Sequence, residues 1–145
     1  MALESGRYYI FSKVDDTPVG RNYIEDKSLL PKGIYKLPQG IPPPEWDVEK
    51  LPNGNYKFQN RGALVGALDR NLFAFLIDAE GLFPTTEWTV QRDERDAGRD
   101  SYVITKAGDG DGWVATETDA QDVAQGPSEP PFFPPNEVFV FRKVD

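Results

Sequence analysis

Ile41-Pro42-Pro43-Pro44-Glu45-Trp46-Asp47-Val48 is the segment whose reading decides this chain, because the chain states its pattern three times. The second statement is Phe83-Pro84-Thr85-Thr86-Glu87-Trp88-Thr89-Val90, and the third is Phe133-Pro134-Pro135-Asn136-Glu137-Val138-Phe139-Val140. Each runs apolar residue, Pro, two variable positions, Glu, Trp or Val, one variable position, Val. The glutamates stand at 45, 87 and 137, spacings of 42 and 50 residues, the size of a supersecondary unit used three times. The proline interrupts ladder pairing and fixes an extended entry. Trp46 and Val48, like Trp88 and Val90, are two apart, so on a strand both point to one face. Each copy therefore reads as an entry turn leading into a strand with a buried inner face.

Working outward, Gly6 to Ser12 is aromatic and β-branched, the composition of a strand. Val19 to Ile24 and Gly33 to Pro38 follow as strands, and Trp46 to Lys50 is the fourth. The second unit repeats the order with Tyr56 to Phe58, Ala63 to Leu68, Leu72 to Ile77 and Glu87 to Gln91. Its Asn53-Gly54 is the strongest short hairpin signal. The third offers Tyr102 to Thr105, Trp113 to Ala115, the weak Asp122 to Ala124, and Glu137 to Arg142. Tyr8, Tyr56 and Tyr102 open the units, 48 and 46 residues apart. Three units of four strands predict an all-β protein, a β-trefoil of twelve strands in pseudo-threefold symmetry, as one domain over 1–145 with units of about 6–52, 53–99 and 100–145. In that fold the inner residues of each first and fourth strand fill a barrel, and the last strand pairs with the first. A sandwich or a lipocalin-like barrel leaves the triple repeat unexplained.

Composition narrows the chemistry. The 145 residues contain no Cys and no His, which excludes disulfides, a His general base and a His metal ligand. An enzyme is not favoured, and no cofactor or metal is expected. The formal net charge of −8 argues against nucleic acid, which is bound by neutralising phosphates. No apolar run approaches a membrane span and the start lacks a signal-peptide pattern, so a cytoplasmic monomer is expected.

In a repeat architecture, departures from the repeat are where function is sought. The second unit joins its middle strands through Asp69-Arg70-Asn71, whereas the first uses the longer Glu25-Asp26-Lys27-Ser28-Leu29-Leu30-Pro31-Lys32. Held extended, Lys27-Ser28 has the form of a trypsin substrate, its ammonium suited to an acidic specificity pocket. A preorganised loop of this kind inhibits without any catalytic group of its own. The plain alternative is a solvated loop lysine. Arg70-Asn71 is the second candidate bond, although Asn in a tight turn is first of all a turn residue. Arg21-Asn22 and Arg61-Gly62 lie within or beside strands and are poorly presented. Asp109-Gly110-Asp111-Gly112 lacks the further ligands of a calcium loop and reads as a turn. The three glutamates read as structural, bonding the entry turn, and Arg92 to Asp96 as a solvated charged loop.

Val19-Gly20-Arg21 with Glu25 to Lys32, Glu49 to Asn55, Gly112-Trp113-Val114 and Pro130-Pro131-Phe132-Phe133-Pro134-Pro135-Asn136-Glu137 resemble the basidiomycete β-trefoil serine protease inhibitors, the group that includes cospin and cnispin. The likeness runs along essentially the whole chain. It implies a trefoil, inhibition of trypsin-like serine proteases, a fungal defence role against grazers, and a basic P1 residue in the loop after the second strand. Lys27 occupies that place, with Ser28 as P1′ and Glu25, Asp26, Leu29, Leu30 and Pro31 as protease-contact residues. A member of the group carries Arg there; Lys keeps the charge but reaches the pocket as a point charge. Glu25 and Asp26 would then be P3 and P2, where acidic residues suit trypsin poorly. The related mushroom cysteine protease inhibitors use loops of the second unit, some presenting Asn to legumain-type enzymes, which keeps Asn71 in view. The rival from another class is a carbohydrate-binding trefoil lectin, but the Gln-x-Trp signature of ricin-type lectins is missing. A storage or purely structural protein would bind no protease.

Overall fold

The computed structural model describes residues 3–22, 25, 27–28, 30–68, 71–76, 86–93, 100–106, 112–115, 122–123 and 137–144. The first unit holds β1 (Gly6–Ser12), β2 (Val19–Arg21), β3 (Lys32–Lys36) and β4 (Trp46–Lys50). The second holds β5 (Tyr56–Asn60), β6 (Ala63–Leu68), β7 (Asn71–Phe75) and β8 (Trp88–Arg92). The third holds β9 (Ser101–Lys106), β10 (Trp113–Val114), β11 (Asp122–Val123) and β12 (Phe139–Lys143).

Six of these strands close a barrel, since β1 pairs β4, β4 pairs β5, β5 pairs β8, β8 pairs β9, β9 pairs β12, and β12 returns to β1. Closure leaves no barrel edge unpaired. The remaining six form the hairpins β2–β3, β6–β7 and β10–β11, joined through β3–β7 and β7–β11 contacts. This is a β-trefoil. The second strand is shorter than expected, ending at Arg21, and Tyr23 and Ile24 lie outside the described residues. The third begins one residue early, at Lys32.

The register corrects one reading of the repeat. Tyr8 sits opposite Trp46, Tyr56 opposite Trp88, and Tyr102 opposite Phe139. The equivalent of the two tryptophans in the third unit is therefore Phe139, one residue beyond the Val138 that the motif aligned with them. Phe139 and Phe141 join the main core beside Ile10 and Phe58, while Val138 packs in a separate small cluster with Val103. Because side chains alternate, a slip of one residue exchanges the faces of the whole strand. Burial of two phenylalanines in the barrel outweighs burial of two valines.

A second substitution within the symmetry follows. Pro18 bridges to Phe11 as Gly112 does to Thr105, which makes Val19 and Trp113 equivalent positions on their second strands. Trp46 Nε1 donates to the Val19 carbonyl at 2.8 Å and Trp88 Nε1 to the Val65 carbonyl at 3.4 Å. The third unit reverses this arrangement, with the indole on the second strand at Trp113 and the smaller Phe139 on the fourth. Trp113 fills the centre, its ring 5.5 Å from Trp46, 5.7 Å from Trp88, 5.4 Å from Phe58 and 5.6 Å from Phe139. These are the offset and edge-on separations that aromatic quadrupoles favour.

At the other end the three opening tyrosines converge. Tyr8 Oη donates to the Glu4 carbonyl at 2.9 Å and Tyr56 Oη to that of Leu3, so the N-terminal segment lies across the barrel mouth with Leu3 buried. Burial pushes all three phenols up, which favours the neutral form in which Tyr8 and Tyr56 donate.

The glutamates of the repeat divide. Glu87 Oε2 accepts from Asn55 Nδ2 at 2.7 Å and Asn53 Nδ2 at 3.0 Å, binding the Asn-Gly turn of the β4–β5 hairpin. Glu45 instead offers its backbone carbonyl to Asn60 Nδ2 at 3.2 Å, with its carboxylate 3.8 Å from Arg7. The amides of Asn55 and Asn53 hold the Glu87 carboxyl below its ordinary value. A depressed acid contributes stability above its unfolded pKa, and the contribution is lost as pH falls through the folded one. In a carboxyl NMR titration Glu87 is expected to titrate below the ordinary glutamate range, and Asn55→Ala to bring it back up. Arg92 and Asp93 correct the charged-loop reading: Arg92 ends β8, and Asp93 is buried with its Oδ2 3.5 Å from Lys13 Nζ. The rest of that stretch, 94–96, lies outside the described residues, as does 109–111 of the segment weighed for calcium.

Candidate functional site

The loop from Asn22 to Pro31 joins β2 to β3, and both of its stems are fixed to the second unit. On the entry side Gly20 lies so close to β5 that a Cβ there would stand 2.4 Å from Pro44 Cγ and 3.1 Å from Asn60 Oδ1. Neither neighbour can withdraw easily, since Pro44 is a ring and Asn60 is fully buried. Gly20→Ala is therefore expected to lower stability by about 1–3 kcal/mol in chemical denaturation, the usual cost of overpacking. On the exit side Lys32 and Gly33 pair with Ala74 and Phe73 of β7, which sets the chain into the sheet.

Arg21, the last residue of β2, organises the entry. Its backbone N–H donates to Asn60 Oδ1 at 2.9 Å, and Nη1 lies 3.4 Å from the carbonyls of both Asn60 and Arg61. The other edge of the guanidinium meets Glu25 fork to fork, Nη2 to Oε1 at 2.7 Å and Nε to Oε2 at 3.2 Å. Both side chains are largely buried, 9% and 14% exposed, so the pair is shielded from salt and solvent. Arg61, in the tight turn after β5 with φ of 51°, returns Nη1 to the Asn22 carbonyl at 2.7 Å. Two arginines thus tie the loop entry to the β5–β6 corner.

The crest carries different chemistry. Lys27 is exposed, and its side chain makes no hydrogen bond or ion pair with any described residue. Ser28 Oγ accepts from the Leu30 N–H at 3.3 Å and from Lys32 Nζ at 3.2 Å, so the residue after Lys27 is held by the chain that follows it. Leu30 is 67% exposed, an unusual position for a large apolar side chain. Pro31 restricts the descent into β3.

Of the residues picked out from the sequence, the structure brings Glu25, Lys27, Ser28, Leu30 and Pro31 into one loop; Asp26 and Leu29 lie outside the described residues. Glu25 faces inward onto Arg21 instead of outward with Lys27. The second candidate divides: Arg70 lies outside the described residues, while Asn71 opens β7 and sits opposite Leu68 and Asp122 in strand ladders, so it belongs to a strand and not to the turn. Sequence reasoning set aside Arg21 and Arg61 as poorly presented and missed Asn60. The available signal was charge spacing, with Arg21 and Glu25 four apart at the mouth of an inserted loop.

The β2–β3 hairpin thus carries a braced loop with an exposed basic side chain at its crest, longer than the β6–β7 turn at the equivalent place in the second unit. The sequence model of the family "Peptidase inhibitor I66" matches residues 1–143, and the chain belongs to that family. It is 39% identical to a "Serine protease inhibitor" of Lentinula edodes over 150 aligned residues, covering 99% of this chain and all of that one. Its fold is similar to the proteinase inhibitor from Coprinopsis cinerea, with a TM-score of 0.83, 32% identity and coverage of 99% and 100% of the two chains. The designed three-fold symmetric protein ThreeFoil shares the fold alone, with a TM-score of 0.67 at 14% identity over 96% of this chain and 99% of that one. The family is one of peptidase inhibitors and not of enzymes.

Proposed function

We propose that this protein inhibits trypsin-like serine proteases reversibly, as a substrate mimic, through the loop 25–32 with Lys27 as P1 and Ser28 as P1′. The observation that carries the reading is the contrast within the loop: an exposed, unengaged Lys27 ammonium above a stem fixed by the buried Arg21–Glu25 pair. The ammonium suits an acidic specificity pocket. The braced stem reduces the conformational entropy lost on docking, which raises affinity without added contacts. The inward turn of Glu25 also answers the part of the sequence objection that concerned P3, because a carboxylate paired with a guanidinium presents little negative charge to a protease. Exposed Leu30 and half-buried Pro31 supply the contacts beyond the scissile bond. The Lentinula edodes relative is named a serine protease inhibitor, which supports serine proteases as the target class, and the cysteine-free composition suits a reducing cytoplasm.

Titration of active-site-calibrated trypsin with the protein tests this, with chymotrypsin, a papain-like enzyme and a legumain-type enzyme as controls. Stoichiometric loss of trypsin activity is expected, with the cysteine enzymes unaffected. Full trypsin activity at a large molar excess of the protein would refute it.

A further inference from the structure

Cleavage of an exposed Lys27–Ser28 bond would by itself make this loop a substrate. Its two halves, however, are anchored separately. The half ending at Lys27 is held through Glu25 to Arg21, and Arg21 to the carbonyls of Asn60 and Arg61. The half beginning at Ser28 is held through Ser28 Oγ to Lys32 Nζ and the Leu30 N–H. Neither set of bonds crosses the peptide bond between 27 and 28, so neither is broken when that bond is.

Resting on the reading of Lys27–Ser28 as the reactive bond, we propose that Arg21 and Glu25 are the positioning residues that make the loop an inhibitor instead of a substrate, by retaining the cleaved Lys27 end for religation. In the forward step the protease serine oxygen adds to the Lys27 carbonyl carbon, the C–N bond breaks, and the Ser28 nitrogen leaves as an amine carrying the transferred proton. If water enters, the acyl-enzyme gives a Lys27 carboxylate and frees the protease serine. If the Ser28 amine returns first, the peptide bond re-forms and the serine regains its proton. The competition depends on how closely that amine stays over the ester, and this is an effective-concentration term set by the two anchors. The Arg21 anchor is the stiffer of the two, being bidentate, largely buried and continued into the β5–β6 corner by fixed backbone carbonyls. A lysine at position 21 would keep the charge and lose the fork.

The test follows the ratio of intact to cleaved inhibitor at equilibrium with catalytic trypsin, approached from both the intact and the pre-cleaved protein and read by mass spectrometry. Glu25→Ala is the principal variant, because the residue lies in the loop and outside the barrel core; Arg21→Lys is the second. The native ratio is expected to be reached from both directions. Glu25→Ala should shift it about tenfold or more toward the cleaved form and make inhibition temporary. Because it leaves the largely buried Arg21 guanidinium without its carboxylate, it also lowers the melting temperature. The ratio is therefore read well below unfolding and compared with Arg21→Lys, which keeps the pair's charges. Arg21→Lys should fall between the two. A Glu25→Ala ratio within about twofold of native, in a protein whose native form inhibits trypsin and is cut after Lys27, overturns the clamp and leaves the reactive bond standing. A native protein that trypsin neither binds nor cuts at Lys27 overturns the reactive bond, and the clamp with it.

Discussion

Lys27→Asn is expected to abolish trypsin inhibition, raising the inhibition constant by about a thousandfold or more, since loss of a central charged anchor costs about 4 kcal/mol or above. The side chain is exposed and has no described partner, so the fold should tolerate the change with a melting temperature within about 1 °C of native, as for surface substitutions away from structural contacts. That separation of effects gives the variant its value. Binding is lost where stability is not, which a scaffold residue such as Asn60 could not show. Lys27→Arg should retain inhibition, because the guanidinium keeps the charge and adds donors for a carboxylate. Equal inhibition by native and Lys27→Asn would move the reactive bond elsewhere, with Arg70 next to be tested.

The largest effect on stability is expected at Trp113. Truncation to Ala removes a fully buried indole surrounded by Trp46, Trp88, Phe58 and Phe139. It should cost about 3–5 kcal/mol, the range for large aromatic deletions in cores. Conversion to Phe separates two contributions. The Trp113 indole N–H has no hydrogen-bond partner among the described residues, whereas Trp46 donates to the Val19 carbonyl. Trp113→Phe therefore removes an unsatisfied donor along with some apolar area, while Trp46→Phe leaves a buried acceptor without its partner. Trp46→Phe should be the more destabilising of the two by about 1–3 kcal/mol, read from urea midpoints at constant m-value. The opposite order would mean that Trp113 has a partner beyond the described residues, and that the two indole positions are not interchangeable sources of core volume.

The fold was legible because three copies of one pattern overdetermine it. Proline before a Glu-Trp pair cannot lie inside a ladder, and alternation after it names the inner residues of β4 and β8 directly. The third copy misled because a written motif matches residue types, while a strand matches faces. Val138 fits the pattern as a letter, but Phe139 fits the barrel, and the two differ by the one step that reverses a strand. An aromatic-to-aromatic match, Trp46 with Trp88 with Phe139, would have given the register. The exchange of Trp between fourth and second strand in the third unit was not legible, since nothing local to Trp113 records that Phe139 has left room for it.

The loop was legible in outline for a similar reason. An insertion stands out against a repeat, and the structure places Lys27 and Leu30 exposed, and Ser28 and Pro31 partly exposed, in the loop between β2 and β3. Its bracing was not legible. Asn60 and Arg61 are distant in sequence from Glu25 and come to the loop only through closure of β4 on β5 and of β3 on β7. Arg21 was judged by its own exposure, when its importance lies in what its buried face holds. Asp93 shows the same limit from the other side: a residue in a charged run reads as solvated until the fold places Lys13 beside it.

The most direct measurement is a crystal structure of the protein bound to trypsin whose catalytic serine is replaced by alanine, so that the complex is trapped before cleavage. The account predicts Lys27 Nζ against the acidic residue of the specificity pocket, the Lys27–Ser28 bond across the catalytic centre, and Glu25 still paired with Arg21. A complex with Arg70 in the pocket, or with Lys27 left in solvent, would contradict it.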